Sequence, residues 1–112
     1  MTESEFLDLA EKTLAQIELA LEAVADQVDL ECSRSGNVLE IEFIDGASKI
    51  IVNSQAPMQE LWVAARAGGF HFKRADQHWV DTRSGKELFA TLSELVSAQA
   101  GQACLVQAPG PI

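Results

Sequence analysis

Residues 29–55 read DLECSRSGNVLEIEFIDGASKIIVNSQ, and the alternation in this stretch decides the fold. Leu30 and Cys32 flank Glu31; Leu39, Ile41 and Phe43 alternate with Glu40 and Glu42; Ile50 and Val52 follow the next turn. Apolar and polar residues recurring at period two describe strands with one buried and one wet face. The dipeptides Gly36-Asn37 and Asp45-Gly46 separate the runs at hairpin spacing, so these strands are consecutive and antiparallel.

Working toward the C-terminus, the loop Asn53 to Gln59 leads to three short strand-like runs, Leu61-Trp62-Val63, Phe70-His71-Phe72 and His78-Trp79-Val80, with Gly68-Gly69 as a further turn. A helix is expected over roughly 86–99, with Leu88, Phe89, Leu92, Leu95 and Val96 on its apolar side and Gly101 as its stop. Working toward the N-terminus, an amphipathic helix is expected over about 3–24. Thr2 followed by Glu5 forms a capping box, and Phe6, Leu9, Thr13, Ile17, Leu21 and Val24 recur at helical spacing as the buried stripe.

The order is helix, five or six strands, helix. Alternating strands need cover on one face only, so the expected fold class is α+β, a two-layer sandwich with both helices on one face of a five- to six-stranded antiparallel sheet. The 112 residues are 47% hydrophobic and 22% charged, enough for one core that buries roughly 65% of the unfolded surface. Residues 1–106 are expected to form that single domain. The tail 107–112, with Pro109 and Pro111, is expected to fray after a short extended contact.

Charge is distributed very unevenly. Glu3, Glu5, Asp8, Glu11, Glu18, Glu22, Asp26, Asp29 and Glu31 face the single cation Lys12 in the first 31 residues, which hold eight of the nine units of net negative charge. Such a patch attracts metal cations or a Lys/Arg-rich protein surface and repels nucleic acid and anionic membrane. At 100° per residue Asp8, Glu11, Glu18, Glu22 and Asp26 fall within an arc of roughly 80°, opposite the apolar stripe. Glu3 and Glu5 suit the positive end of a helix. Glu18, Glu22 and Asp26 oppose its negative end, at about 0.3 to 1 kcal/mol each, and Glu18 and Glu22 repel each other at i,i+4. Stability alone does not select that arrangement. Carboxylates are hard ligands suited to iron, calcium or manganese, and without an enclosing cage any such site is open and weak.

Trp62 alternates with Leu61 and Val63, which places it on the open sheet face beside Asn53 and Gln55. It is either an interface anchor or a ring half covered by its neighbours. The acidic N-terminus shows no leader and no apolar run spans a membrane, so a cytoplasmic protein is expected. Cys32 and Cys104 are read as free thiols. No phosphate loop, nucleophile elbow, HExxH or cysteine–histidine pair is present, so no catalytic residues are assigned. Asp81 and Arg83 are read as parts of a strand-to-helix turn.

SEFLDLAE at 4–11, SKIIVNSQAP at 48–57, Leu61-Trp62, Gly68-Gly69-Phe70-His71-Phe72, Trp79 and Arg83-Ser84-Gly85 together resemble the frataxin family, in its bacterial CyaY-type branch, over nearly the whole chain. The resemblance implies a non-catalytic regulator or iron chaperone of iron–sulfur cluster assembly. It implies weak binding of ferrous or ferric iron, with other divalent cations as competitors, and docking of the acidic ridge on a cysteine desulfurase. Glu3, Glu11, Glu18, Glu22, Asp29 and Glu31 match the family's acidic pattern, and Asp8 and Asp26 add to it. Asn53, Gln55 and Trp62 match a second contact surface, for the scaffold protein that receives the cluster. A monomer is implied, with iron-dependent oligomerisation left open. Leu19, Ala23, Ala25, Gln27 and Ser33 stand where some relatives carry acids, which lowers the expected iron capacity, and Glu60 stands where the family usually has glutamine. The alternative, a ferroxidase-like storage protein, needs a dinuclear cage, usually with Glu-x-x-His, which the chain lacks.

Overall fold

The computed structural model describes residues 1–45 and 47–108. Helix α1 (Glu3–Ala25) is followed by strands β1 (Leu30–Ser35), β2 (Val38–Phe43), β3 (Ser48–Gln55), β4 (Glu60–Ala65), β5 (Gly68–Ala75) and β6 (His78–Asp81), then helix α2 (Leu88–Ala100). The six strands form one antiparallel sheet in strict sequence order, β1 to β6. Both helices cover one face of it, which is the expected two-layer sandwich.

The capping box is present: Glu5 N donates to Thr2 Oγ1 at 3.1 Å, and Thr2 N donates to Glu5 Oε1 at 2.8 Å. That reciprocal pair satisfies two of the amides that a helix start leaves unpaired. Ala10, Leu14 and Ala20 join the buried stripe of α1 while Leu9 is only half-buried, which turns the stripe by roughly 20° from the expected one without widening it.

The core joins Leu39, Ile41, Ile50, Val52, Leu61, Val63 and Phe72 of the inner sheet face to Phe6, Leu14, Ile17, Leu21, Leu88, Leu92 and Val96 of the helices. At its centre Trp79 is 1% exposed. Its ring meets Phe6 edge-on, centroids 6.0 Å apart at 81°, and its Nε1 donates to Thr13 Oγ1 at 2.9 Å. Thr13 Oγ1 in turn donates to Leu9 O at 2.8 Å, so the one polar pair in this apolar region is fully used.

Helix α2 begins two residues later than expected. Lys86 O accepts from Asp81 N at 2.8 Å, and Glu87 forms a bridge to Val80. These two residues therefore extend the β6 neighbourhood, and the Glu87 carboxylate caps the helix by accepting from Phe89 N and Ala90 N. The preceding turn matches expectation: Asp81 Oδ1 accepts from Arg83 N at 2.8 Å, and Gly85 takes φ 74°. Gly101 (φ 74°) closes α2.

Beyond it the chain runs extended along α2. Ser97 Oγ bonds both N and O of Cys104, and Ser93 Oγ bonds both N and O of Val106. One helical turn and two extended residues advance by similar distances, about 6 Å and 6.6 Å, so serines four apart on the helix meet residues two apart on the strand. Val106 is buried and Ala108 packs against the core. The expected hairpin turn at Asp45-Gly46 includes Gly46, and the tail includes 109–112; both lie outside the described residues.

Candidate docking ridge and sheet face

Helix α1 carries its acids along about 35 Å, the length of 23 helical residues. Glu3 sits in the first turn and Asp26 is the C-cap, so no single ion touches both. Among the described residues no three His, Cys, Asp or Glu side chains converge into a metal-holding group. The ridge is a strip of charge and not a cage.

Its charges are unequal. Lys12 Nζ lies 3.1 Å from Asp8 Oδ2. Arg34, on the α1-facing side of β1, reaches between two turns of the helix: its Nη2 donates to Glu11 Oε1 and its Nε lies 3.1 Å from Glu18 Oε1. Counting charge only to residue 31 stops three residues short of this cation. The alternation Leu30, Cys32, Arg34 already places Arg34 on the helix side, and that was the available signal. Glu22 and Asp26 remain exposed with no ion pair among the described residues, on a helix whose last turn holds no basic residue. Asp29 is exposed just before β1. Glu31 is turned to the outer sheet face, opposite Glu42, and so stands apart from the α1 row.

A shallow cleft between α1 and β1 is lined by Glu18, Leu21, Glu22, Ala25, Leu30 and Cys32. Burial, and then the negative charges of Glu18 and Glu22, push the Cys32 thiol up to about 11. A thiol held neutral in this way is neither a nucleophile nor a ready metal ligand at neutral pH. Both cysteines are free, as read from the sequence.

The second surface is the outer sheet face. The register sets Asn53 opposite Trp62, and Trp62 opposite His71. Gln55 Nε2 donates to Asn53 Oδ1 at 2.9 Å. Trp62 is half-buried, with His71 stacked on its indole at 4.4 Å and 7°. Trp62 Nε1 donates to Glu60 Oε1 at 2.8 Å. Glu60 and His71 were not among the expected site residues. Their signal was positional: Glu60 is two residues from Trp62 on one strand, and His71 is its cross-strand neighbour.

Two helices on one face of a six-stranded meander, an acidic strip on the first helix and an amide-flanked tryptophan on the open face define the frataxin-like class. The frataxin-like domain family matches residues 1–102, and the chain belongs to the frataxin family. It is 67% identical over 109 residues to the iron-sulfur cluster assembly protein CyaY of Janthinobacterium sp. (strain Marseille), covering 96% of this chain and 97% of that one. It is 66% identical over 103 residues to the protein of the same name from Herminiimonas arsenicoxydans, covering 90% and 92%. Among solved structures, a frataxin from Psychromonas ingrahamii superposes with TM-score 0.85 at 30% identity, over 96% of this chain and 99% of that one. Trimeric yeast frataxin complexed with ferrous iron superposes with TM-score 0.70 at 23% identity, over 83% and 86%; that likeness speaks to the fold alone.

Proposed function

We propose that this chain is a non-enzymatic, cytoplasmic regulator of iron–sulfur cluster assembly that docks its acidic ridge on a cysteine desulfurase and carries iron weakly on the same carboxylates. Membership of a family whose 67%-identical relative is named for iron–sulfur cluster assembly supports the process. The observation that carries the docking role is the pair Glu22 and Asp26, exposed and without an ion pair among the described residues, where the helix dipole disfavours them. Charge kept against a stability cost is explained by a basic partner surface, which gains encounter rate and orientation from it.

The strip geometry favours docking over storage. Carboxylates spaced along a helix hold hydrated cations loosely, and a ferroxidase needs two irons fixed in one cage. Iron is then cargo held by Glu18, Glu22, Asp26 and their neighbours. Asn53, Gln55 and Trp62 form the second docking surface, for the scaffold protein that receives the cluster.

The test is titration of the desulfurase with wild type and with the double variant Glu22→Lys, Asp26→Lys at moderate salt. The variant is expected to lose the complex while keeping wild-type circular dichroism. Undiminished binding by a folded variant refutes the ridge reading.

A further inference from the structure

Glu60 opens β4 immediately after Gln59, whose left-handed conformation (φ 52°, ψ 47°) closes the single 3-10 turn Ala56–Met58. A carboxylate on an outer sheet face normally stands in water, yet Glu60 is 5% exposed. Its neighbours explain the burial. Trp62 lies on the same face of the same strand, and its indole covers Glu60 while donating Nε1–H to Oε1 at 2.8 Å. His71 stacks on that indole and brings Nδ1 to 3.6 Å from the same oxygen. Lys73, the cross-strand partner of Glu60, places Nζ 3.8 Å from Oε2.

An indole on an open sheet face is otherwise free to turn about its second side-chain dihedral, a broad two-fold torsion. The bond to Glu60 selects one of the two flips, and the stack on His71 fixes the tilt. The same bond consumes the only donor the indole has. Trp62 therefore presents an oriented apolar ring edge, with the Asn53 and Gln55 amides supplying the polar rim beside it.

We propose that Glu60 is a positioning residue of the sheet-face docking surface: it pre-sets the Trp62 ring, so that a partner meets an apolar anchor and not a hydrogen-bond donor. The proposal rests on the docking role assigned above to that face. Orienting the ring before contact removes an ordering cost from binding, which corresponds to about 2- to 10-fold in affinity.

The experiment follows the Trp62 indole 1H–15N resonance and, in parallel, calorimetric affinity for the iron–sulfur scaffold protein, in Glu60→Ala, Glu60→Gln and Trp62→Ala. Glu60→Ala is expected to move the Trp62 indole resonance to a solvent-exposed position, speed its hydrogen exchange and weaken scaffold binding about 2- to 10-fold. Glu60→Gln keeps an acceptor oxygen and is expected to retain both properties. The buried Trp79 indole resonance reports that the fold is intact in each variant. An unmoved resonance or unchanged affinity in Glu60→Ala overturns the proposal, as does an equal loss in Glu60→Gln, which would assign the effect to charge. Full scaffold affinity in Trp62→Ala would instead remove the docking reading, while the resonance would still judge whether Glu60 sets the ring.

Discussion

Arg34 Nε lies 3.1 Å from Glu18 Oε1, so a cation from the first strand is built into the acidic face of the first helix. The pair is partly solvated, with side chains 23% and 35% exposed, and contributes at most about 1 kcal/mol to stability. Its larger effect is on the field of the ridge, where it offsets Glu11 and Glu18 and leaves the charge concentrated at Glu22 and Asp26. Replacement Arg34→Ala is expected to lower the melting temperature only slightly. It should strengthen desulfurase binding several-fold at low salt, with the gain disappearing as ionic strength shortens the Debye length. Weaker binding in this variant, followed by salt titration, would show that Arg34 is itself a contact residue.

Glu22 and Asp26 oppose the helix dipole, so neutralising them should stabilise the fold. The double variant Glu22→Gln, Asp26→Asn is expected to gain about 1 kcal/mol, a rise of roughly 4–8 °C in melting temperature. That gain should shrink in 1 M salt, where exposed charges are screened. Calorimetric melting at two salt concentrations measures both effects, and a fall in stability at low salt would contradict the dipole account.

Thr13 Oγ1 accepts the N–H of the buried Trp79 indole. Thr13→Val keeps the shape and removes the acceptor, leaving a buried N–H unpaired, which costs about 1–3 kcal/mol. Urea unfolding should show a lower midpoint with an unchanged slope, whereas Thr13→Ser, which keeps the hydroxyl, should lose less. Equal losses in the two variants would mean that packing, not the hydrogen bond, governs the site.

The raised Cys32 thiol gives a signed pH dependence. Its ionisation lies above that of an unfolded cysteine, so the neutral folded form adds stability that is fully present below about pH 9. That contribution is lost as pH rises through about 11. Alkylation of Cys32 at pH 8 is expected to be slow and to accelerate in Glu18→Gln, Glu22→Gln, because two charges that disfavour the thiolate are removed. Mass spectrometry after timed iodoacetamide treatment reads this directly; an unchanged rate in the double variant would reduce the cause to burial alone.

The six strands, the capping box, the second helix stripe and the Asp81 turn were legible because alternation, turn residues and caps act within a few residues. But Gly68-Gly69 opens β5 after a turn at 66–67, and Asn53 to Gln55 complete β3 instead of opening a loop. What escaped depended on elements meeting. Arg34 enters the ridge only because β1 runs beside the middle of α1. The burial of Glu60 depends on the register that brings His71 and Lys73 alongside it. The acids of α1 were legible as one row, while the place of Glu31 on the outer sheet face and the division into compensated and uncompensated charges required the fold.

Every strand pairs only with its neighbour in the chain, so the sheet can zip up hairpin by hairpin without any long loop being closed. The contacts that span the chain come from both helices: α1 holds β1 through Arg34 and, across 66 residues, β6 through Trp79, while Gln99 of α2 reaches Ser48 across 51 residues. Loop-closure entropy is therefore concentrated in the seating of the two helices on the finished sheet. Mechanically, α1 braces the β1 edge, while Lys86 and Glu87 line β6 at the other. A pull on the N-terminus that lifts α1 would release β1 and expose backbone primed for intermolecular pairing, so the proposed docking surface and the brace that keeps this edge from aggregating are one element.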